Sequence, residues 1–250
     1  MSANSCQEDT LQVSLACMKV LITGRNSQNI VELIKSLKLE IVKSNPDVII
    51  SYGGDGTILY SERIYPGIPK LPIRDSFNCI KCPNHQDEIL LKNLFEGKLN
   101  LKEYRKLETT IFYKTFTALN DFVIRNKIPI HTIRFKVTPK DKALIGDGII
   151  ISTPFGSTGY FKSITGKIFE GGFGLAFNNT TEKISPIFLK DKDEVRFELI
   201  RGQATLSFDN NPDVFTIDEG SELLFKLSGQ VAKIYEADSL RCPNSIIKRG

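Results

Sequence analysis

The residues best suited to chemistry in this sequence lie in one short segment, Gly53-Gly54-Asp55-Gly56-Thr57. Glycines permit a sharp turn and let backbone N–H groups approach a ligand closely, and consecutive N–H groups form a concave anion site. A carboxylate inside an anion site is unusual for a simple turn. Asp55 makes sense there if it holds Mg²⁺ or accepts a proton from a hydroxyl group that is being phosphorylated. The segment therefore predicts a phosphate site, and an ordinary Gly-Asp turn is the alternative.

This loop lies between a predicted strand and a predicted helix. Residues 47–50 form an apolar, β-branched run that is typical of a buried strand. Ile58-Leu59-Tyr60 looks like the start of a helix, whose N-terminus would favour a phosphate. The loop is not a Walker loop, because Gly-Lys-Ser/Thr is missing, and it is not a Gly-x-Gly-x-x-Gly dinucleotide loop.

Residues 18–104 carry an alternation of short strands and helices. Apolar runs predict four strands and helical spacing predicts two helices, at residues 19–23, 39–42, 48–52 and 70–73 and at residues 29–37 and 86–95. This order implies an α/β domain with a parallel, Rossmann-like sheet. The ligand of such a domain lies beyond the carboxyl ends of the strands, where Asp55 is. Residues 1–17 are polar and aperiodic and are expected to be disordered.

The character of the sequence changes at about residue 105, where β-branched and aromatic residues begin to alternate with polar ones. Strands are expected at residues 106–112, 115–124, 132–138, 148–152, 187–189, 194–200, 205–208, 214–217 and 222–227. Short strands separated by turns indicate an antiparallel all-β domain, here residues 105–230. Residues 231–250 are expected to return to the first domain.

The composition excludes several classes of protein. The 250 residues are 41% hydrophobic and 25% charged, as in a globular protein with apolar cores. The net charge of +4 comes from scattered basic residues, so nucleic-acid binding is not indicated. Neither a membrane span nor a signal peptide is expected from the apolar runs. Five dispersed cysteines, including a lone Cys79–Cys82 pair, favour free thiols and a cytoplasmic protein.

Three further polar stretches lie in the β-rich part. Residues 118–124 place Asn120 and Asp121 inside an apparent strand, where both residue types are depleted, so a bulge, a turn or a ligand contact is expected. Residues 146–163 run from a buried strand into a loop rich in Ser, Thr and Gly. That loop offers hydroxyl and N–H donors, with a polar surface loop as the alternative. Residues 206–212 are typical of a hairpin turn.

Together these motifs resemble those of the NAD kinase family, enzymes that phosphorylate the adenosine 2′-hydroxyl of NAD to give NADP. The resemblance runs from about residue 18 to about residue 227. It rests on residues 53–57, on residues 118–124 and on residues 147–160, in that order. The first motif alone is shared with diacylglycerol-type lipid kinases, sphingosine kinases and phosphofructokinases, so the combination carries the resemblance.

The resemblance implies an N-terminal α/β domain and a C-terminal β-sandwich-like domain, with NAD bound between them. It implies that Asp55 orients or deprotonates the 2′-hydroxyl. The donor, ATP or inorganic polyphosphate with Mg²⁺, would be held by the loop residues Gly53, Gly54, Gly56 and Thr57. NAD would be contacted by Asn120, Asp121, Asp147, Thr158, Gly159, Tyr160, Ser163 and Asp209. A homodimer or homotetramer is also expected, because family members commonly form one.

The chain departs from the usual family pattern in several places. Asp121 stands where Glu is usual, Gly159 stands where Ala is usual, and Asn210 replaces a Gly. Residues 66–82 and 164–174 lack the usual glycine-rich patterns. No cluster of metal-ligating side chains is identified in the sequence. Two other functions stay open: a kinase that uses the same loop on a lipid or a sugar, and a regulator that binds NAD or NADP without turnover.

Overall fold

A computed structural model describes residues 18–37, 39–75 and 86–236. The predictions made for residues 1–17, for Cys79 and Cys82 and for the residues after 236 lie outside these ranges. The first part of the described chain contains four strands and three α-helices: β1 (Lys19–Thr23), α1 (Val31–Ser36), β2 (Glu40–Ile41), β3 (Val48–Tyr52), α2 (Asp55–Ile64), β4 (Lys70–Ile73) and α3 (Asp87–Phe95). None of the helices in the described ranges is long and apolar enough to span a membrane.

Strands β1 to β4 pair in parallel, in the order β2-β1-β3-β4. All five residues of β3 are buried, as expected for a strand covered on both faces. Helices α1 and α3 pack on the sheet in one apolar core, whereas Ile58 and Leu59 of α2 pack in a second core with Leu119 and Phe155. Because parallel strands end at the same edge, the segments that follow β1, β3 and β4 lie side by side.

The second part of the chain is rich in strands and contains one α-helix. Its elements are β5 (Leu101–Ile111), β6 (Lys114–Ala118), β7 (Asp121–Asn126), β8 (Ile133–Val137), β9 (Lys140–Gly146), β10 (Gly148–Ser152), α4 (Tyr160–Thr165), β11 (Phe173–Asn178), β12 (Ile187–Leu189), β13 (Val195–Arg201), β14 (Ala204–Phe208), β15 (Phe215–Ile217) and β16 (Glu222–Tyr235). Six of these strands form an antiparallel sheet in the order β12-β11-β10-β7-β14-β15. The expected α/β part with parallel strands and the expected antiparallel sheet are therefore both present.

The remaining strands extend the parallel sheet into a mixed sheet of ten strands. Its order is β2-β1-β3-β4-β16-β13-β8-β9, and β5 joins it by pairing with β16 and β6. One large apolar core contains side chains from this sheet and from the antiparallel sheet. The rings of Phe122 in β7 and Phe225 in β16 meet across that core, with centroids 5.4 Å apart. The two sheets therefore pack on each other through their apolar faces.

Strand β16 belongs to both parts of the molecule. Val195 of β13 pairs with Phe225 in its first half, and Ile234 near its end pairs in parallel with Lys70 of β4. Leu101, the first residue of β5, pairs with Tyr235. The mixed sheet thus runs without interruption across residues 104 and 230, and the domain boundaries expected there stay a prediction.

The observed elements differ from the predicted ones in several places. Strand β5 begins at Leu101 rather than at residue 106, β16 extends to Tyr235 rather than ending at residue 227, and α4 was not expected. The helix predicted at 29–37 begins as a 3-10 turn at Ser27–Ile30, so α1 is short. The strand predicted at 115–124 is two strands, because the chain leaves the ladder after Ala118. Strands β9 and β11 were not expected, because β9 is a lysine-bearing edge strand and β11 follows glycines that suggest a turn.

Candidate active site

The loop after β3 ends in a helix that begins earlier than its apolar residues indicated. Helix α2 starts at Asp55 with Gly54 as its N-cap residue. The N–H of Gly53 donates to the carbonyl oxygen of Ile73 at 2.7 Å, so it is already used within the sheet edge. In the described chain the N–H groups of Gly54, Asp55 and Gly56 have no acceptor. These three groups, rather than Gly53, are the donors that an anion at this helix terminus would meet.

Asp55 is exposed, and within the described ranges its carboxylate has no hydrogen-bond partner. A carboxylate at the first position of a helix also lies in the favourable field of the helix dipole. A side chain in this state is free to accept a hydrogen bond from a bound hydroxyl group or to contact a cation. The Thr57 side chain lies so close to residue 53 that only glycine fits there, since a Cβ would lie 2.2 Å from Thr57 Oγ1.

Three buried hydroxyl groups fix α2 against the parallel strands. Ser61 Oγ lies 2.6 Å from Thr23 Oγ1 of β1, accepts a hydrogen bond from Ser51 Oγ of β3 at 2.8 Å and donates to the carbonyl oxygen of Thr57 at 2.7 Å. Ser61 itself is fully buried. The helix that presents Asp55 is therefore held by side chains at the carboxyl ends of two strands.

The turn after β14 joins α2 to the β-rich part. Asn210 Nδ2 donates to the carbonyl oxygen of Gly56 at 2.6 Å. Its neighbour Asp209 has a positive φ of 48°, and its carboxylate accepts the N–H of Leu119 at 2.9 Å and the N–H of Asn120 at 2.7 Å. The same carboxylate accepts the N–H of Asp121 at 3.4 Å. Asp209 is thus a structural acceptor that shapes the backbone of residues 119–121.

We call the two residues between β6 and β7, Leu119 and Asn120, the 119–120 break. The loop after β10 packs directly on it, because Thr153 N donates to the carbonyl oxygen of Asn120 at 2.8 Å and Thr153 Oγ1 donates to that of Leu119 at 2.6 Å. A Cβ on Gly156 would lie only 2.2 Å from the Asn120 carbonyl oxygen. The polar residues inside the predicted strand therefore mark a break where the two loops meet.

Asp121 and Asp209 form a buried acidic pair beside this break. Burial, with the negative charge of Asp209, raises the pKa of Asp121 to about 7. Burial also raises the pKa of Asp209, while its three N–H partners and the positive charge of Lys106 oppose that rise. A carboxyl group that titrates near neutral pH is suited to hold or release a proton at a ligand hydroxyl group.

The loop after β10, which is rich in Ser, Thr and Gly and is predicted to contact NAD, lies next to the 119–120 break. A 3-10 turn at Gly156–Thr158 leads through Gly159 into α4. Thr158 and Ser163 are exposed, and Ser163 Oγ donates to the carbonyl oxygen of Tyr160 at 2.7 Å. Tyr160 is half-buried and packs against a small apolar cluster on the antiparallel sheet. This loop thus offers exposed polar groups close to the break.

Asp147 is not brought to the same place. It precedes β10, while Ser152 at the other end of β10 pairs with Asp121. At about 3.3 Å per residue, Asp147 lies roughly 16 Å along the strand from Ser152. Its carboxylate accepts hydrogen bonds from Asn179 Nδ2 at 3.0 Å and Asn126 Nδ2 at 3.5 Å. The other predicted site residues gather around the break and α2, and Asp147 lies apart from them.

A cavity of about 460 Å³ opens beside the start of α2, between this helix and β1. Its lining includes two aromatic side chains and one cation that sequence reasoning did not identify: Tyr60, Tyr65 and Arg25. Gly24 could have signalled this place, because it follows β1 at the same sheet edge as Asp55 and its φ is +131°. No group of three or more His, Cys, Asp or Glu side chains able to hold a metal ion occurs in the described ranges.

The sequence is related to curated NAD kinases. No family model matches the chain. NAD kinase 2 of Geobacillus kaustophilus is 31% identical over 170 residues, which are 58% of this chain and 61% of that protein. The bifunctional NADP phosphatase/NAD kinase of Methanocaldococcus jannaschii is 30% identical over 209 residues, 76% of this chain but 36% of that protein. The NAD kinase of Aquifex aeolicus is 29% identical over 224 residues, 82% of this chain and 79% of that protein. The chain thus spans less than two thirds of the length of the first two relatives.

The fold is also that of solved NAD kinase structures. An NAD kinase from Archaeoglobus fulgidus in complex with ATP superposes with a TM-score of 0.71 at 21% identity, covering 88% of this chain and 94% of that one. Yeast NADH kinase complexed with NADH superposes with a TM-score of 0.79 at 16% identity, covering 94% of this chain and 89% of that one. The chain is thus related in sequence to curated NAD kinases and shares the fold of solved NAD and NADH kinase structures.

Proposed function

We propose that the protein is an NAD kinase, which transfers a phosphoryl group from ATP to the adenosine 2′-hydroxyl of NAD and so makes NADP. The observation that carries the proposal is the junction formed by the turn at Asp209 and Asn210. This turn bonds to Gly56 beside Asp55 on one side and to the 119–120 break on the other. A phosphate site and a polar nucleotide site therefore adjoin, as transfer between two bound substrates requires.

The donor phosphates would bind at the start of α2. The unused N–H groups of Gly54, Asp55 and Gly56 point to an anion there, and Thr57 adds a hydroxyl group nearby. The cavity between α2 and β1 would hold the rest of the donor, with Arg25 near the phosphates. An aromatic lining by Tyr60 and Tyr65 suits a nucleoside better than a bare polyphosphate chain, which favours ATP.

A Mg²⁺ ion would fit this chemistry with few protein ligands. Asp55 is the only carboxylate of residues 53–57, and the described chain offers no larger ligand cluster around it. Mg²⁺ is commonly held by one or two carboxylates together with substrate phosphates. Asp55 is therefore the residue that would contact the ion, which would neutralise charge on the donor. Phosphoryl transfer needs little more from a protein than such positioning and charge stabilisation.

NAD would lie across the 119–120 break. We assign hydrogen bonds to its adenosine part to Asn120 and Asp121, and contacts along its length to Thr158, Gly159, Tyr160 and Ser163. Asp209 would act by shaping the break. Asp147 would meet only the far end of an extended dinucleotide. Asp55 would accept the hydrogen bond of the 2′-hydroxyl and take its proton as the new bond forms.

Other parts of the proposal concern the whole molecule. We propose a Rossmann-like α/β domain at residues 18–104 and a β-sandwich-like domain at residues 105–230, with the substrates between them. We also propose a homodimer or homotetramer, on the resemblance to the family alone. The free-thiol pattern of the five cysteines supports a cytoplasmic location.

The deciding experiment measures NADP formation from NAD and Mg²⁺, with ATP and separately with polyphosphate. Asp55→Asn should lower turnover by roughly 10²–10⁴-fold while NAD binding stays close to wild type, since base catalysis is lost and shape is kept. Asp213→Asn is the matched control, because Asp213 is exposed and its carboxylate accepts no hydrogen bond in the described ranges. Turnover of the Asp55→Asn variant at the wild-type rate would remove Asp55 from the mechanism.

The same assay separates the rival functions. NAD binding without product from either donor would favour a nucleotide-binding regulator. Absence of NAD binding would favour a kinase for a lipid or a sugar. Product with polyphosphate and none with ATP would assign polyphosphate as the donor.

A further inference from the structure

Three charged side chains form a buried cluster behind α2, which we call the Glu62 triad: Glu62 of α2, Lys70 of β4 and Lys106 of β5. Their side chains are between 0% and 4% exposed. The two ammonium groups form ion pairs with Glu62, one with each carboxylate oxygen. Lys70 also donates to the carbonyl oxygen of Tyr65 at 2.6 Å. The triad ties the helix that begins at Asp55 to strands of both parts of the molecule.

This triad contains one more cation than neutrality requires. Burying a charge costs free energy unless pairing compensates for it, and Glu62 with a single lysine is already balanced. Burial, together with the charge of Lys106, lowers the pKa of Lys70 and so relieves part of this excess, and a second anion near Lys106 would relieve the rest. In the ladder between β5 and β6, Leu107 pairs with Ala118. Lys106 precedes Leu107, so its place in the ladder is opposite Leu119, the first residue of the 119–120 break.

Asp209 is the anion at this place. Its carboxylate accepts the N–H of Leu119 at 2.9 Å and that of Asn120 at 2.7 Å. The positive charge of Lys106 opposes the rise that burial causes in the pKa of Asp209. The charged side chain that acts on Asp209 is Lys106 from β5, and the negative charge of Asp209 in turn raises the pKa of Asp121 in β7. Lys106 thus pairs with a carboxylate on α2, and its charge acts on the carboxylate that shapes the break.

We propose that Lys106 is a positioning residue, whose ammonium group is held by Glu62 on α2 and, through its charge, keeps Asp209 ionised and the 119–120 break in the shape that binds NAD. The inference rests on the proposed function. An ionised Asp209 accepts the backbone N–H groups of the break more strongly than a protonated one does. Loss of the Lys106 charge favours the protonated form. The break then loosens and Asn120 loses its fixed position, while Asp55 is untouched.

Lys106→Met and Lys70→Met form a matched pair, because each removes one lysine and leaves Glu62 with one partner. The direct readouts are the titration of Asp209 by carboxyl ¹³C NMR and the amide hydrogen exchange of Leu119. K106M should raise the titration midpoint of Asp209, because an opposite charge is removed, and should speed amide exchange at Leu119. K70M should leave both readouts near those of wild type.

Kinetics supply a readout that general destabilisation would not produce. At pH 7, K106M should raise the KM for NAD by about tenfold and leave kcat within about twofold, since the donor side of the site is kept. K106R, which retains the charge, should restore the KM and the titration midpoint of Asp209. Should the Met variant not fold, Lys106→Gln, which keeps a hydrogen-bond donor for Glu62, replaces it in the same comparison.

Equal shifts in K106M and K70M, or an unmoved Asp209 midpoint in K106M, would overturn the positioning role. The NMR readouts do not depend on turnover. A wild-type protein that makes no NADP, combined with an Asp209 midpoint that moves only in the Lys106 variants, would refute the kinase assignment and leave the link between Lys106 and Asp209 intact.

Discussion

Asp121 allows a test of the site through the stability of the fold. Its residue is 7% exposed, and burial together with the charge of Asp209 raises its pKa from 3.8 to about 7. Because the pKa is higher in the folded state, this group stabilises the fold below about pH 4 and loses that contribution as the pH rises through about 7. At about 1.4 kcal/mol per pH unit, the full span corresponds to roughly 4 kcal/mol.

Asp121→Asn removes this titration and keeps the size of the side chain. The variant should gain stability relative to wild type, and the gain should be larger at pH 8 than at pH 5 by roughly 2–3 kcal/mol, because wild type is still mostly protonated at pH 5. Urea unfolding followed by circular dichroism measures this difference, and the chain has no Trp for fluorescence. At pH 8 the variant should also bind NAD roughly 10–100-fold more weakly, since a charged hydrogen-bond partner is lost.

Asp213→Asn serves as the control, because this exposed side chain should change the free energy of unfolding by no more than about 0.5 kcal/mol at any pH. A stability difference between Asp121→Asn and wild type that stays constant from pH 5 to pH 8 would refute the raised pKa. It would also remove the reason for regarding Asp121 as a group that exchanges a proton near neutral pH.

Two further substitutions test the packing that holds the site together. Gly156→Ala places a Cβ 2.2 Å from the Asn120 carbonyl oxygen, and a backbone shift of about 1 Å that relieves this clash should raise the KM for NAD by roughly 10–10²-fold. Gly229→Ala is the control, because a Cβ there has no atom within 4 Å. Equal KM values in the two variants would contradict the contact between Gly156 and Asn120. Ser61→Ala should lower the free energy of unfolding by about 1–3 kcal/mol, because the buried hydroxyl groups of Thr23 and Ser51 lose their partner. Ser36→Ala, at an exposed position, should change it by about 0.5 kcal/mol or less. Equal losses in urea unfolding would show that the buried hydroxyl network does not stabilise the fold.

Local sequence was sufficient to predict the glycine loop at residues 53–57 and the strand before it. The predicted strand at residues 48–52 coincides with β3, because an apolar β-branched run bounded by glycines has few alternatives. The start of α2 was predicted three residues late, since Asp55 and Gly56 have poor helix propensity and the favourable helix dipole at Asp55 outweighs it. The resemblance to the NAD kinase family, expected from three motifs in order, is confirmed by the sequence relatives, and the fold is shared with solved NAD and NADH kinase structures.

Other site features depend on contacts between distant segments. Residues 206–212 predicted only a hairpin turn, and the pairing of β14 with β7 is what places the Asp209 carboxylate on the N–H of Leu119. Lys106 lies in a strand that carries five charged residues, so its side chain was indistinguishable from a solvated one. Its burial follows from the position of α2 over the sheet.

Local sequence predicts the parallel strands, the glycine loop with Asp55 and the resemblance to the NAD kinase family, because each of these follows from residues that are neighbours along the chain. The tertiary structure alone decided that Asp209 supports the break from within, that Asp147 lies apart and that Glu62 holds two buried lysines. Those outcomes depend on strand register and on which faces pack together. A shift of register by one residue would turn every side chain of the shifted strand to the other face of its sheet, and residue types alone do not specify that register.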